Sequence, residues 1–184
     1  HFLAEIVSIT GSDKKELYHV TRNADGSTLV EVYKITKEGV QSTKMYERKF
    51  DPLYTKEVRI FGFDGDDEFT ANGDNDKIKV RLIGGGGTDV FKNTAKTSRE
   101  TIVYDRRDGN NSMEGGFKNR MSLDSNVNKF ERLYYKYPYQ SFFVTVGYNP
   151  DDGILIGPTF KYIRHGFRKV PYKSINQFRG LYAF

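Results

Sequence analysis

The sequence predicts an all-β protein: a short parallel β-solenoid of 22-residue coils, followed by antiparallel, aromatic-rich strands. Three observations carry that expectation. Gly 18, Tyr 13 and Phe 14 against Trp 0 and Met 3 favour strands and turns over helices. One pattern of apolar residues and glycines returns every 22 residues between positions 58 and 113. Beyond position 130, aromatic residues crowd into alternating stretches separated by turn signals.

The repeat is the most informative of the three. Val58-Arg59-Ile60-Phe61-Gly62 returns as Val80-Arg81-Leu82-Ile83-Gly84, and the next step lands on Ile102-Val103-Tyr104. The same step takes Gly65 to Gly87 to Gly109, Asp67 to Asp89 to Asn111, and Phe69 to Phe91 to Met113. Val58, Val80 and Ile102, with Ile60, Leu82 and Tyr104, alternate with polar neighbours as one face of a strand does. Stacked coils would bury them as two ladders, the glycines would form the sharp turns, and Phe69, Phe91 and Met113 would return the chain to the core. A single coil cannot bury its own apolar face, so neighbouring coils are required.

Four regions follow. Residues 58–115 are the expected solenoid core with Gly/Asp loops. Residues 1–57 are β-rich and admit two readings: Val7-Ser8-Ile9-Thr10-Gly11-Ser12-Asp13, with Glu16 and Tyr18 at the places of Asp67 and Phe69, makes an irregular early coil, or the region is a set of ordinary hairpins. Thr28 to Ile35 and Met45 to Phe50 read as strands around a turn at Lys37-Glu38-Gly39. Residues 116–140 read as a connection. Within 141–184, Ser141 to Tyr148, Gly153 to Arg164 and Ser174 to Phe184 read as antiparallel strands, the first two joined by Asn149-Pro150-Asp151-Asp152-Gly153. Their alternation suits either a soluble sheet or the start of an outer-membrane barrel.

Composition narrows the chemistry. At 184 residues there is room for one well-buried domain and an appendage, not for two compact enzymes. No apolar run reaches membrane-helix length, and His1-Phe2-Leu3-Ala4-Glu5 lacks a signal-peptide layout, so the expectation is a chain soluble as it stands or a piece of something longer. With no cysteine there are no disulfides or thiolate sites, which leaves oxygen ligands and hard cations. The net charge of +5 is uneven: no Asp or Glu follows Asp152, whereas Lys161, Arg164, Arg168, Lys169, Lys173 and Arg179 do.

The sharpest short motif is Gly84-Gly85-Gly86-Gly87-Thr88-Asp89-Val90-Phe91-Lys92, which fits G-G-x-G-x-D-x-U-x at every fixed place. Gly62-Phe63-Asp64-Gly65-Asp66-Asp67-Glu68-Phe69 is its partner one coil earlier, with fewer glycines and more carboxylates. Together they resemble the haemolysin-type, RTX-like calcium-binding repeat. That resemblance implies Ca²⁺ as the ion, with Asp64, Asp66, Asp67 and Asp89 as candidate ligands. It covers two loops, and the step of 22 departs from the tandem nines of that family. The competing expectation is that the Asp side chains bond backbone N–H groups at the coil corners, as Asp does in turns.

A broader resemblance rests on Tyr46-Glu47-Arg48-Lys49-Phe50, on Thr55 to Ile60 with Gly62-Phe63-Asp64-Gly65-Asp66-Asp67, and on Gly147-Tyr148-Asn149-Pro150-Asp151-Asp152-Gly153 followed by Gly166-Phe167-Arg168-Lys169. These stretches resemble the region before and into the C-terminal barrel of a group of Bacteroidetes surface proteins. That group is itself similar to the bacterial surface-antigen barrels, and some members carry a calcineurin-like metallophosphoesterase domain upstream. The resemblance implies a β domain in the cell envelope, outer membrane or periplasm, with the C-terminal strands contacting a barrel or lipid.

Nothing in the sequence assembles a catalytic site. His1, His19 and His165 lack metal-ligand spacing, and no nucleophile elbow or phosphate loop is present. The pairs Asp66-Asp67, Asp74-Asp76 and Asp151-Asp152 sit among Gly and Asn as solvated turns do. The basic aromatic end carries no recognised RNA-binding motif, so no nucleic-acid partner is expected. The expected role is a non-catalytic structural or binding β-solenoid module of an outer-membrane or surface protein, either calcium-responsive or calcium-independent. The alternative is an accessory domain that positions substrate for a cell-envelope metallophosphoesterase outside this chain.

Overall fold

The computed structural model describes residues 4–36, 38–95, 100–132 and 136–183. It is nearly all β, contains parallel and antiparallel sheets, and divides into two compact units, His1–Phe130 and Glu131–Phe184. In the first unit the chain runs through β1 (Ile6–Thr10), β2 (Glu16–Arg22), β3 (Thr28–Ile35), β4 (Gln41–Phe50), β5 (Glu57–Asp64), β6 (Glu68–Gly73), β7 (Lys79–Gly86), β8 (Val90–Asn93), β9 (Thr101–Tyr104), β10 (Ser112–Gly115) and β11 (Lys118–Asn119). The second unit holds β12 (Tyr139–Asn149), β13 (Gly153–Gly166), β14 (Lys169–Arg179) and β15 (Tyr182–Ala183).

From β5 onward the strands of the first unit alternate between two sheets. One sheet has the order β1-β5-β7-β9-β11, parallel throughout; the other has the order β10-β8-β6-β2-β3-β4. One strand of each sheet makes one coil. Val58 pairs with Val80 and Ile60 with Leu82, while Phe69 pairs with Phe91, all at the step of 22. The stretch 6–22 forms a coil of the same stack, with Val7 beside Val58 and Tyr18 beside Phe69. Its step to the next coil is longer because β3 and β4 intervene as an antiparallel hairpin on the free side of β2. Within the N-terminal region, β1 and β2 thus pair in parallel with β5 and β6, and β3 and β4 form an antiparallel hairpin. The hairpin ends the sheet with a charged edge, where Lys44 meets Glu31 at 2.6 Å and Lys49 meets Asp25 at 2.8 Å. Charges along an edge strand discourage pairing with another chain.

The third step corrects the sequence reading. Val80 pairs with Thr101, not Ile102, and Leu82 pairs with Val103, not Tyr104. Ile102 and Tyr104 are buried, but in register with Arg81 and Ile83 on the other face of the sheet. The physical reason is that Thr101-Ile102-Val103-Tyr104 is buried on both faces, so no polar face pins its register. The lost residue is regained in the following loop, where residues 105–110 replace residues 84–88, and β10 pairs with β8 at the original step.

The core lies between the two sheets. Val58, Ile60, Val80, Leu82 and Val103 face Tyr18, Val20, Phe69, Ala71 and Phe91, with Val30, Val32, Phe50 and Ile78 completing the cluster. Three rings stack along it: Tyr18 and Phe69 at 4.7 Å between centroids, Phe69 and Phe91 at 4.9 Å, interplanar angles 9° and 10°. Met113 was expected next in that column but is 38% exposed, because β10 is the last strand of its sheet. Phe117 closes the column instead, edge-on to Phe91 at 6.5 Å. Across the core from the Gly/Asp loops, the buried Arg22 guanidinium binds the carbonyls of Ile78 at 2.8 Å and Glu100 at 3.1 Å and the Thr101 hydroxyl at 2.8 Å, joining successive coils.

The second unit is an antiparallel sheet in which β13 pairs with β12, β14 and β15. The strand expected over 174–184 begins earlier, at Lys169, and breaks at Gly180 before β15.

The stacked rings generate a stability prediction. Phe69→Ala or Phe91→Ala should lower the unfolding free energy by about 3–5 kcal/mol, as truncation of a fully buried aromatic does. Denaturant titration followed by far-ultraviolet circular dichroism measures it, and a loss below about 1 kcal/mol would place the rings outside a packed core.

Candidate functional site

At the corner where each coil turns from the first sheet to the second, the backbone N–H of the residue that opens the second passage points along the stack. An unpaired buried N–H is costly, so each needs an acceptor from a neighbouring coil. Side chains supply it. The N–H of Glu16 donates to Asp67 Oδ1 at 2.9 Å, that of Asp67 to Asp89 Oδ1 at 2.9 Å, and that of Asp89 to Asn111 Oδ1 at 2.8 Å. A reverse link runs outside this column, where the Thr88 N–H donates to Asp66 Oδ1 at 2.8 Å. Tyr18 adds a hydroxyl that donates to Glu16 Oε2 at 2.6 Å.

Glycine makes room for the column. A methyl group placed on Gly62 would lie 2.2 Å from Asp67 Oδ2; on Gly84 it would lie 2.3 Å from Asp89 Oδ2 and 2.2 Å from Asp105 Oδ2. Asp105 is the member that sequence reasoning missed. It occupies the place of Gly84 one coil later, once the step of 21 residues in that sheet is recognised, and turns its carboxyl inward beside Asp89. Its Oδ1 accepts from the Arg106 N–H at 2.6 Å and from Asn128 Nδ2 at 2.9 Å.

Burial governs the electrostatics. Glu16, Asp67, Asp89 and Asp105 are all buried. Desolvation pushes Asp67 up to about 7, with the charges of Glu16 and Asp66 adding to the rise and the Glu16 N–H and Lys15 opposing it. Asp89 is pushed up to about 8, again first by desolvation, with Asp105 contributing further and the Asp67 N–H opposing. Tyr18 is held well above the ordinary tyrosine value by burial and by its bond to Glu16.

The four candidate calcium ligands are thus divided. Asp67 and Asp89 come together inside the corner; Asp64 and Asp66 are exposed on its outer side. Asp64 borders a shallow cleft with Asp13, Phe63, Arg106, Asn126 and Lys129. Among the described residues no group of three or more His, Asp or Glu side chains is arranged to hold a metal ion. His19 lies elsewhere, its Nδ1 2.5 Å from Thr70 Oγ1, and Asp152 accepts from Asn149 Nδ2 in the turn between β12 and β13. Comparison of the chain with known protein families, with curated proteins and with solved structures finds no match.

The close approach at Gly84 yields a test. Gly84→Ala should destabilise the protein by about 1–3 kcal/mol, the range for overpacking a filled interior. Chemical denaturation of the variant measures this, and a change within about 0.5 kcal/mol would show that the corner is not filled by the two carboxyl groups.

Proposed function

We propose that this chain is a non-catalytic structural module of a bacterial cell-envelope protein, in which a short β-solenoid precedes strands covered by lipid or by the remainder of an outer-membrane barrel. The observation that carries the proposal is the exposed apolar face of the second unit. Phe142, Phe160 and Phe178 are register partners across three strands, as are Val146, Ile156 and Tyr182. Val144 beside Pro158 and Tyr148 beside Ile154 lie on the same face. Phe142 is 70% and Phe178 67% exposed. On β13 the apolar positions run from Ile154 to Tyr162, about 27 Å at strand rise, against an apolar band of about 25 Å on transmembrane barrels. The opposite face is mixed: it carries Ser141, Thr145, Thr159, Lys161, Gln177 and Arg179 together with the apolar Tyr139, Phe143, Leu155, Ile163, Ile175 and Ala183. One face is wholly apolar over Ile154 to Tyr162 of β13 and the other carries the polar residues, the asymmetry expected of a strand between hydrocarbon and an aqueous interior. A contiguous apolar patch of that extent rarely stays solvated.

The solenoid part of the reading is supported by the parallel ladders and the repeated step of 22 in the first unit. In this reading Asp67 and Asp89 serve the stack by holding backbone N–H groups.

The absence of native cysteine makes the membrane part testable. Single-cysteine variants Val144→Cys, Val146→Cys and Phe160→Cys, labelled with a thiol fluorophore in phospholipid vesicles, should be quenched strongly by spin-labelled lipid. Labels at Thr145→Cys and Lys161→Cys should be quenched weakly. Equal quenching at neighbouring positions, or failure of the chain to enter vesicles, would overturn the lipid-facing assignment.

A further inference from the structure

We propose that the end of the second unit formed by the β13–β14 turn binds the anionic headgroups of a phospholipid leaflet through Arg164, Lys169 and Lys173. The proposal rests on the lipid-facing reading of the same sheet, and adds which lipid the sheet meets and with which end. Charge is sorted along these strands. Beyond Glu131 the only acids are Asp151 and Asp152, both exposed in the turn between β12 and β13. Arg164, Arg168, Lys169 and Lys173 gather at the opposite end, around the turn between β13 and β14.

The apolar face stops where the basic end starts. Tyr162 shares a row with Gln140 and Asn176, and the next row on that face holds Arg164 beside Ser174. Two residues of strand separate Tyr162 from Arg164, about 7 Å at strand rise. That distance matches the interfacial layer, roughly 5–8 Å on each side of the hydrocarbon. With Ile154 to Tyr162 in hydrocarbon, Arg164 therefore stands at the level of the phosphates. At the turn, a methyl group placed on Gly166 would lie 3.2 Å from Lys173 Cβ and 3.5 Å from Lys169 Cγ. Both lysine stems thus pass over the same backbone, and both residues are exposed. At the tip Arg168 takes φ 56°, a region that glycine enters freely and arginine only at a cost. Its guanidinium lies over the ring of the buried Phe167 at 4.8 Å.

This arrangement selects a negatively charged surface. Among the described residues Arg164, Lys169 and Lys173 form no ion pair with Asp or Glu. Cations gathered without acids repel one another, and a layer of phosphate oxygens relieves that repulsion while drawing the sheet from solution. Lys161 and Arg179 lie level with the apolar band on the mixed face, away from that end.

Partitioning of the full chain onto vesicles of phosphatidylcholine alone, and of an equimolar mixture with phosphatidylglycerol, tests the proposal. At low ionic strength the mixed vesicles should bind the chain about a hundredfold more strongly, from about fivefold for each of the three basic residues near an anionic surface. The difference should shrink as salt shortens the Debye length. A variant carrying Arg164→Gln, Lys169→Gln and Lys173→Gln should lose the preference and bind neutral vesicles as wild type does. Removing three exposed lysines of the first unit instead, with Lys14→Gln, Lys77→Gln and Lys118→Gln, should leave most of the preference. An equal loss there would make net charge the cause and overturn the proposal, as would equal partitioning of wild type onto both vesicle types. Fluorophores at Val144→Cys and Phe160→Cys separate this failure from that of the lipid-facing reading. Strong quenching by spin-labelled lipid in both vesicle types, without preference for phosphatidylglycerol, keeps the lipid-facing reading and removes the headgroup contact; no quenching in either removes both. Binding of a single-stranded oligonucleotide without lipid, abolished by the first triple variant, would assign the cations to nucleic acid and overturn the proposal as well.

Discussion

The first unit depends on one constraint: at every inner corner a backbone N–H leaves its own coil and must find an acceptor where water does not reach. The next coil provides it from a side chain, through Asp67 for Glu16, Asp89 for Asp67 and Asn111 for Asp89. Much else follows. The carboxyl groups need space, so the residues that face them are Gly62 and Gly84. The coils must stay in register at the corner, which holds Tyr18, Phe69 and Phe91 ring upon ring. Burial lifts Asp67 and Asp89 above the usual carboxylate range, so the bonds that align the stack also tie it to pH.

How far this was legible in the sequence depends on how strongly each position is constrained. Asp67, Asp89, Phe69 and Phe91 announce themselves, because their neighbours differ from them in polarity and the step between them is constant. Thr101 to Tyr104 does not, since a strand buried on both faces fits either register and no turn signal marks the slip. That slip concealed Asp105, which stands where a glycine was the pattern. Met113 misled for a different reason: the period says where a residue pairs, and only the end of the sheet says whether anything covers it. The calcium motif is likewise met at every position by a loop whose inner oxygens bond backbone N–H groups; glycines and an aspartate are what a tight carboxyl-lined corner needs, with or without an ion.

The second unit reverses the balance. Its strands alternate as the first unit's do, but the apolar rows through Phe142, Phe160 and Phe178 are exposed. Alternation reports that two faces differ; it does not report which solvent each face meets. At eleven to fourteen residues these strands exceed the usual strand of a small globular sheet and reach the length of about 9–11 residues that the proposed barrel strands would need.

The most direct measurement of the corner constraint is amide hydrogen exchange at Asp67, read against the amides of Val58 and Val80. In the wild type the Asp67 amide should exchange as slowly as those two. Asp89→Asn, which keeps the accepting oxygen, should preserve that protection, and Asp89→Ala should release the Asp67 amide selectively. If the Asp67 amide stays as protected as Val58 and Val80 in Asp89→Ala, the carboxyl of the next coil is not what holds the corner, and the account fails at its base.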